Sequence, residues 1–199
     1  MDKKLRVANI GMKFGMSHVE GAMNYGAEIA AICDCDPENL RFAGERYGIP
    51  EDKWVTDYRD LLDNDEIDVV TVAIPDQLHK KVVCDFLRAG KHVLCEKAFT
   101  MNATQAKAVA QKAREKNLFV AEAIWPRYMP SRKLINDVMN SGIIGKANTL
   151  TANLSYVIHE VPRIYRPELA GGALLDLGVY NLFFVMGLFG MPESVQFLA

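Results

Sequence analysis

Short apolar runs alternate with amphipathic segments through the first 123 residues of the chain. The apolar runs are four to six residues long and rich in Val, Ile and Ala, which is typical of strands buried on both faces. They cover residues 5–10, 29–33, 69–73, 92–95 and 119–123, with a further short strand near 54–56. Helical spacing of apolar positions marks 19–25, 37–47, 78–89 and 103–115. The alternation predicts an α/β fold of the Rossmann type, a doubly wound parallel sheet of six strands covered by helices.

The rhythm changes after residue 124. The pair Trp125-Pro126 breaks the pattern, a helix is predicted over 130–141, and residues 149–157 alternate like a strand with one solvated face. A glycine-led helix over 174–186 and a strand from Val195 follow. We therefore expect two domains, 1–124 and 125–199. The second is the beginning of an α+β domain with a mostly antiparallel sheet, truncated or covered by a partner because it has too few strands to close.

Composition narrows the class of protein. With 199 residues, 50% of them hydrophobic, the chain can bury a core. A net charge of -2 and a pI near 6.1 give no basic surface for nucleic acid. The apolar run 182–189 is too short to cross a membrane. Four cysteines, with Cys33 and Cys35 two apart, match neither a zinc site nor a redox pair, so we expect reduced thiols, no metal and a cytoplasmic location.

A nucleotide site is predicted where the first strand meets the first helix. The segment Gly11-Met12-Lys13-Phe14-Gly15 stands where backbone amides and the helix dipole hold a pyrophosphate. The usual G-x-G-x-x-G spacing is compressed, and Lys13 takes the place of the central glycine. A tight turn with a stray basic residue is the alternative.

Asp34 supports the nucleotide interpretation. It ends the second strand, 23 residues after Gly11, where a carboxylate accepts hydrogen bonds from ribose hydroxyls and repels a 2'-phosphate. Asp36 adds negative charge, so NAD is expected rather than NADP. Alternatively, Asp34 and Asp36 cap the helix that begins at Pro37, and one of them can do so while the other binds ribose.

Lys97 is the candidate catalytic cation. The predicted strand 92–95 runs directly into Glu96-Lys97-Ala98. The carboxyl end of a parallel strand faces the crevice where ligands bind in open α/β sheets. The alternative is an ordinary surface lysine paired with Glu96.

Three segments together resemble the glucose-fructose oxidoreductase / inositol dehydrogenase (Gfo/Idh/MocA) family of nicotinamide-dependent oxidoreductases. They are Ala73-Ile74-Pro75-Asp76-Gln77-Leu78-His79, Cys95-Glu96-Lys97-Ala98 and Gly171-Gly172-Ala173-Leu174-Leu175-Asp176-Leu177-Gly178-Val179-Tyr180. The resemblance covers essentially the whole chain. The turn Trp125-Pro126-Arg127-Tyr128, the loop Pro162-Arg163 and a tyrosine after Asp176 are similar to the dihydrodiol and xylose dehydrogenase branch.

The resemblance implies a role for each matching residue. Lys97 corresponds to the family's catalytic lysine, Tyr180 to the proton donor and acceptor, and Asp176 to the acid that orients the substrate. The segment with Ile74, Pro75 and His79 corresponds to the loop that lies along the nicotinamide ribose. The implied cofactor contacts also include Glu96, Trp125 and Arg127. The departures are Lys13 in the glycine loop, Ile74 where threonine is common and Ala98 where proline is usual.

Simpler interpretations of these residues remain open. Asp176 could pair with Arg163 or Arg166, and Tyr180 could be a core residue of an amphipathic helix. His18 and His159 are expected to be hydrogen-bonded structural or loop residues rather than catalysts.

The expected function is hydride transfer between NAD(P) and a sugar, polyol or diol-type substrate, with Lys97 and Tyr180 as the proton-transfer pair. An ammonium near a tyrosine favours the phenolate and stabilises a developing alkoxide. A homodimer or higher homo-oligomer is expected. The alternative is a non-catalytic, nucleotide-responsive regulator or binding protein on the same fold.

Overall fold

The computed structural model describes residues 4–158 and 160–198, which form two compact units. The first unit ends at Ala123 and the second begins at Ile124, one residue before the predicted second domain. His159 lies outside the described residues. Each unit has its own secondary structure and is described in turn.

A parallel six-stranded sheet forms the centre of the first unit. Its order is β3-β2-β1-β4-β5-β6, and every neighbouring pair is parallel. The chain therefore builds outward from β1 in both directions, and the carboxyl ends of β1 and β4 flank the switch point where ligands bind in such sheets. The predicted parallel sheet is confirmed. Its strands are β1 Arg6–Ile10, β2 Glu28–Cys33, β3 Trp54–Val55, β4 Val69–Val72, β5 His92–Cys95 and β6 Val120–Glu122.

Four helices cover the sheet: α1 Met12–Asn24, α2 Pro37–Tyr47, α3 Asp76–Arg88 and α4 Ala103–Lys116. Side chains cap two of them, since Asp36 accepts from the Glu38 amide and Asn102 from the Gln105 amide. Helix α1 starts seven residues before the predicted 19. The polar residues Lys13 and Ser17 hide its apolar period in the sequence.

Each face of the sheet has an apolar core. One cluster packs α3 and α4 on the sheet and includes the fully buried Val83, Phe86 and Val109. The other packs α1 and α2 and includes Met12 and Ile32. The two layers cover both faces, which explains why the central strands are apolar without alternation.

Gly44 in α2 has no room for a side chain. A Cβ there would lie 2.0 Å from Cζ2 of Trp54, and the indole is held by a 2.9 Å hydrogen bond from its Nε1 to the carbonyl oxygen of Ile49. We expect Gly44→Ala to lower the free energy of unfolding by about 1–3 kcal/mol, because the ring must shift. Urea unfolding measures this change.

Gly21 in α1 is the matched control. The space around its Cβ position is open in the described structure. Gly21→Ala is expected to raise the free energy of unfolding by up to about 1 kcal/mol, because alanine favours the helix. Equal losses in the two variants would show that contact with Trp54 is not the cause.

The second unit is helical where the structure describes it. Its elements are a 3₁₀ turn at Trp125–Tyr128, α5 Pro130–Ser141, 3₁₀ turns at Pro162–Tyr165 and Pro167–Leu169, a π-helical turn at Leu174–Gly178, and α6 Val179–Phe189. The predicted strands at 149–157 and from Val195 were wrong, because 124–158 and 160–198 contain no strand. A strand needs a hydrogen-bonded partner, and neither segment pairs with another described segment. The expected antiparallel sheet is therefore not formed in this part of the chain.

The stretch Pro167–Phe189 is long and apolar enough to cross a membrane by length and composition alone. The apolar run 182–189, which is too short to span a membrane by itself, lies within this stretch. One such stretch is weak evidence for a membrane, since core helices of water-soluble proteins pass the same test. Within the unit, the guanidinium of Arg132 lies 5.5 Å from the ring centre of Phe183 and 5.6 Å from that of Phe184.

Candidate functional site

The turn after β1 brings the start of α1 against the end of β4. Gly11 has φ 87°, and a Cβ there would lie 2.3 Å from the carbonyl oxygen of Ala73. Its amide donates to the carbonyl of Cys33 at 2.7 Å. Both the positive φ and the close approach require glycine. Gly11 therefore lies where the ends of β1, β2 and β4 meet, beside the switch point.

Asp34 is tied to this turn. Its carboxylate is buried, with 9% of the residue exposed. Oδ2 accepts a 2.6 Å hydrogen bond from the Met12 amide, and Oδ1 accepts from the Asp36 amide at 2.9 Å and from Asn39 Nδ2 at 3.3 Å. Asp36 caps α2. The structure thus gives the helix cap to Asp36 and leaves Asp34 at the carboxyl end of β2.

These residues fit the adenosine half of a dinucleotide. Lys13 and Phe14 are exposed and lie in the first turn of α1. Their backbone amides are therefore at the end of the helix that attracts phosphate. Because Gly11 has no side chain, its turn lies directly against the carbonyl oxygen of Ala73 at the end of β4. The first turn of α1 would hold the pyrophosphate and Asp34 the ribose. Gly15 is buried at the end of this turn, and its amide donates to the Gly11 carbonyl at 3.0 Å.

Lys97 follows β5 at the same edge of the sheet. The carboxylate of the preceding Glu96 accepts from the Lys97 backbone amide at 3.0 Å and lies 2.9 Å from Nε2 of His18 on α1. Burial raises the pKa of Glu96, but the hydrogen bond from His18 lowers it, and the net shift is downward. Glu96 therefore connects α1, the helix at the predicted nucleotide site, to the backbone of Lys97. His18 has the structural role expected of it.

Glu122 is a residue that the sequence analysis missed. It ends β6 opposite Cys95 and accepts a hydrogen bond from the Phe99 amide at 2.9 Å. Burial raises its pKa, against the lowering effect of that hydrogen bond. The sequence signal that could have identified Glu122 is an acidic residue at the end of an apolar strand, at the sheet edge that holds Lys97.

Glu96→Gln and Glu122→Gln are expected to change the pH dependence of stability in opposite directions. Glu96 has a lowered folded-state pKa, so its contribution is present above the unfolded-state value of about 4.3 and is lost as pH falls through the folded value. We expect Glu96→Gln to lower the free energy of unfolding by about 1–2 kcal/mol near pH 7 and by less in acid.

Glu122 has a raised folded-state pKa, so its contribution is present below about 4.3 and is lost as pH rises through the folded value. A glutamine oxygen can still accept from the Phe99 amide, so Glu122→Gln should be at least as stable as the parent near pH 7. Denaturant unfolding between acid and neutral pH tests both variants. The same pH trend in the two would contradict the assignment.

His79 lies behind the two loops at this edge. Its ring is fully buried, with Nδ1 at 2.8 Å from the Ala98 carbonyl and Nε2 at 2.8 Å from the Ile74 carbonyl. Ile74 is half-buried and Pro75 is exposed, between β4 and α3. The loop predicted to lie along the nicotinamide ribose therefore includes Ile74 and Pro75, while the His79 ring holds it from inside.

The second unit contains the other predicted residues. Asp176 is buried in the π-helical turn, and its Oδ1 accepts from Nη2 of Arg163. This pair is the structural alternative considered for Asp176. Tyr180 lies in the first turn of α6, with its ring centre 6.1 Å from that of Trp125 at an interplanar angle of 55°. Arg127 is exposed in the 3₁₀ turn that contains Trp125.

The structure gathers the predicted residues into two groups, one in each unit. In the first, the ends of four neighbouring strands carry Gly11, Asp34, Ile74 and Lys97. In the second, Trp125 packs near Tyr180, and Arg163 binds Asp176. Across residues 4–158 and 160–198, no cluster of three His, Cys, Asp or Glu side chains is arranged to hold a metal ion.

Sequence comparison identifies curated relatives. The chain is 36% identical over 170 residues to trans-1,2-dihydrobenzene-1,2-diol dehydrogenase of Xenopus tropicalis, covering 84% of this chain and 51% of the relative. It is 35% identical over 179 residues to the NADP⁺ D-xylose 1-dehydrogenase of Hypocrea jecorina, covering 84% of this chain and 46% of the relative. The chain thus spans about half the length of the curated relatives it matches.

A solved structure supports the same relationship. A 3-ketoreductase from Actinomadura kijaniata, in complex with NADP and TDP-benzene, superposes with a TM-score of 0.78 at 29% identity, covering 94% of this chain and 58% of the other. Residues 5–123 match the model of an oxidoreductase family with an NAD-binding Rossmann fold, and 133–199 match the GFO/IDH/MocA C-terminal domain. The chain belongs to the Gfo/Idh/MocA oxidoreductase family.

Proposed function

We propose that the protein transfers a hydride between NAD(P) and a hydroxyl-bearing carbon of a sugar, polyol or diol. The observation that carries the proposal is the position of Lys97, which follows β5 at the sheet edge that also holds the Gly11 turn and Asp34. Relatives named as diol and xylose dehydrogenases support this substrate class.

Lys97 and Tyr180 are the proposed proton-transfer pair, and both residues stand in segments that match the family. The bound nicotinamide would supply or accept the hydride. The protein must then stabilise charge on the substrate oxygen and move one proton. A lysine ammonium can stabilise an alkoxide, and a tyrosine hydroxyl can donate or accept the proton. Asp176, fixed by Arg163, is the proposed group that orients the substrate.

NAD is the proposed cofactor. Asp34 supports it, because a buried carboxylate at the end of β2 accepts from ribose hydroxyls and repels a 2'-phosphate. The Hypocrea relative is named for NADP⁺, and the Actinomadura ketoreductase was solved with NADP. Binding of both reduced nucleotides must therefore be compared.

We also propose that the protein is a cytoplasmic homo-oligomer that binds neither nucleic acid nor membranes. Exposed apolar side chains on α6, among them Leu182 and Phe189, support burial against another protein surface. Four free cysteines support a reducing compartment. Light scattering of the purified protein measures the oligomeric state.

The test of the function has two steps. NADH and NADPH are first titrated by fluorescence, and saturable binding with tighter binding of NADH is expected. Sugars, polyols and trans-diols, including D-xylose, are then screened for a change in nicotinamide absorbance. Binding without turnover on any substrate would favour a nucleotide-responsive binding protein, and no binding of either nucleotide would overturn the proposal.

A further inference from the structure

The His79 ring makes two contacts that a neutral imidazole cannot satisfy together. Nδ1 lies 2.8 Å from the carbonyl oxygen of Ala98, and Nε2 lies 2.8 Å from that of Ile74. A carbonyl oxygen only accepts hydrogen bonds, and a neutral imidazole has one N–H. At these distances, one nitrogen lone pair would face an oxygen lone pair unless both nitrogens carry a proton. Both contacts can be hydrogen bonds only if the ring is an imidazolium.

The two carbonyls belong to the two loops at the proposed cofactor edge. Ile74 lies between β4 and α3, in the loop assigned to the nicotinamide ribose. Ala98 directly follows Lys97 after β5. The ring is itself part of α3 and is fully buried. It thus connects both loops to the interior of the unit.

Acidic groups surround this end of the sheet. Glu122 from β6 interacts electrostatically with His79 and with Lys97. Asp76 in the first turn of α3, Glu96 after β5 and Glu122 all act on Cys95 at the end of β5. Lys97 is the cation at this edge, and His18 on α1 is bound to Glu96. A buried cation needs such counter-charges.

We propose that His79 is a positioning residue, an imidazolium that latches the Ile74 loop and the Lys97–Ala98 loop together. It holds the backbone on both sides of the reacting centre without contacting substrate. The role of Lys97 in this inference rests on the proposed function, whereas the charge of the ring and its two contacts do not. Loss of either ring proton would open the latch on that side.

Two substitutions separate the two contacts. The amide nitrogen of asparagine replaces Nδ1, so His79→Asn can keep the Ala98 contact, while that of glutamine replaces Nε2, so His79→Gln can keep the Ile74 contact. We expect His79→Asn to raise the dissociation constant of NADH by about tenfold with a smaller change in kcat. We expect His79→Gln to lower kcat by about tenfold with a smaller change in NADH binding. A residue that only supports the fold would change both quantities together in both variants.

Nuclear magnetic resonance of the ¹⁵N-labelled native protein tests the charge directly. Two-bond proton–nitrogen spectra distinguish a ring with two protonated nitrogens from one with a single protonated nitrogen. The signals that are missing from the His79→Asn spectrum identify His79. If that variant does not fold, the His79 signals are identified as the ring protons that exchange most slowly with solvent. Two protonated nitrogens near neutral pH are expected, and a neutral tautomer would overturn the proposal.

The outcomes separate this inference from the proposed function. The ring spectrum depends on neither cofactor binding nor turnover, so it decides the charge even in a protein that reduces no substrate. NADH titration decides the Ile74 side, and kcat on a substrate from the screen decides the Lys97 side. Equal effects of the two substitutions on binding and kcat would refute the latch even if the ring is charged.

Discussion

Replacing Lys97 with methionine is expected to lower kcat by about 10²- to 10⁴-fold while NADH binding changes little. The physical reason is that methionine removes the ammonium that stabilises charge on the substrate oxygen. The backbone contact of this loop with Glu96 is retained, because Glu96 accepts from the backbone amide of Lys97. Stopped-flow or steady-state absorbance of the nicotinamide measures the loss, and fluorescence titration measures binding.

Lys80→Met provides the matched control, because Lys80 is an exposed lysine on α3. It removes the same charge from the unit and should leave kcat within about twofold of the parent. Lys97→Arg keeps a cation with a different shape and should recover only part of the activity. Undiminished turnover in Lys97→Met would contradict the assignment.

Replacing Tyr180 with phenylalanine is the second large effect, with kcat expected to fall by about 10²-fold or more. The substitution removes only the hydroxyl that would carry the proton. The ring remains to pack near Trp125, whose ring centre is 6.1 Å away, so this packing contact is retained. Thermal unfolding and kcat are measured on the same preparation.

The control for this variant is Tyr156→Phe, since Tyr156 is 65% exposed in the same unit. It should retain full activity. If Tyr180→Phe lost activity only in proportion to a fall in the folded fraction, the hydroxyl would have a structural role alone. If both variants kept full activity, the proton would have to come from another group.

The elements of the first unit were predictable because each has a strong local signal. Buried parallel strands are apolar without alternation, and β5 was predicted at the observed bounds, His92–Cys95. Helix α2 was likewise predicted at Pro37–Tyr47, between a capping acid and the left-handed Gly48. The apolar period placed α1 only from residue 19, whereas the glycine segment 11–15 indicated the helix start that the structure has at Met12, directly after the positive φ of Gly11.

The second unit was harder to predict because its strands depend on partners. Residues 149–157 alternate like a strand, but alternation shows only which face of a strand would be buried and not which segment it would pair with. In the described part of the chain no other segment pairs with them, so the pattern forms no ladder. Helix α5 depends on local signals only, and Pro130–Ser141 was predicted correctly.

Sequence alone determined the parallel sheet, its helical cover, the family and the placement of Lys97 after a buried strand. The sheet, the helices and the position of Lys97 follow from neighbours in the chain, where hydrophobic period and turn residues act directly, and the family follows from the resemblance of three short segments. Tertiary structure alone decided the strand order and the partners of the charged groups: Asp34 on the Met12 amide, Glu96 on His18, Asp176 on Arg163, and His79 between two carbonyls. His18 and Glu96 are 78 residues apart, and no local pattern encodes which distant groups meet once the sheet is assembled.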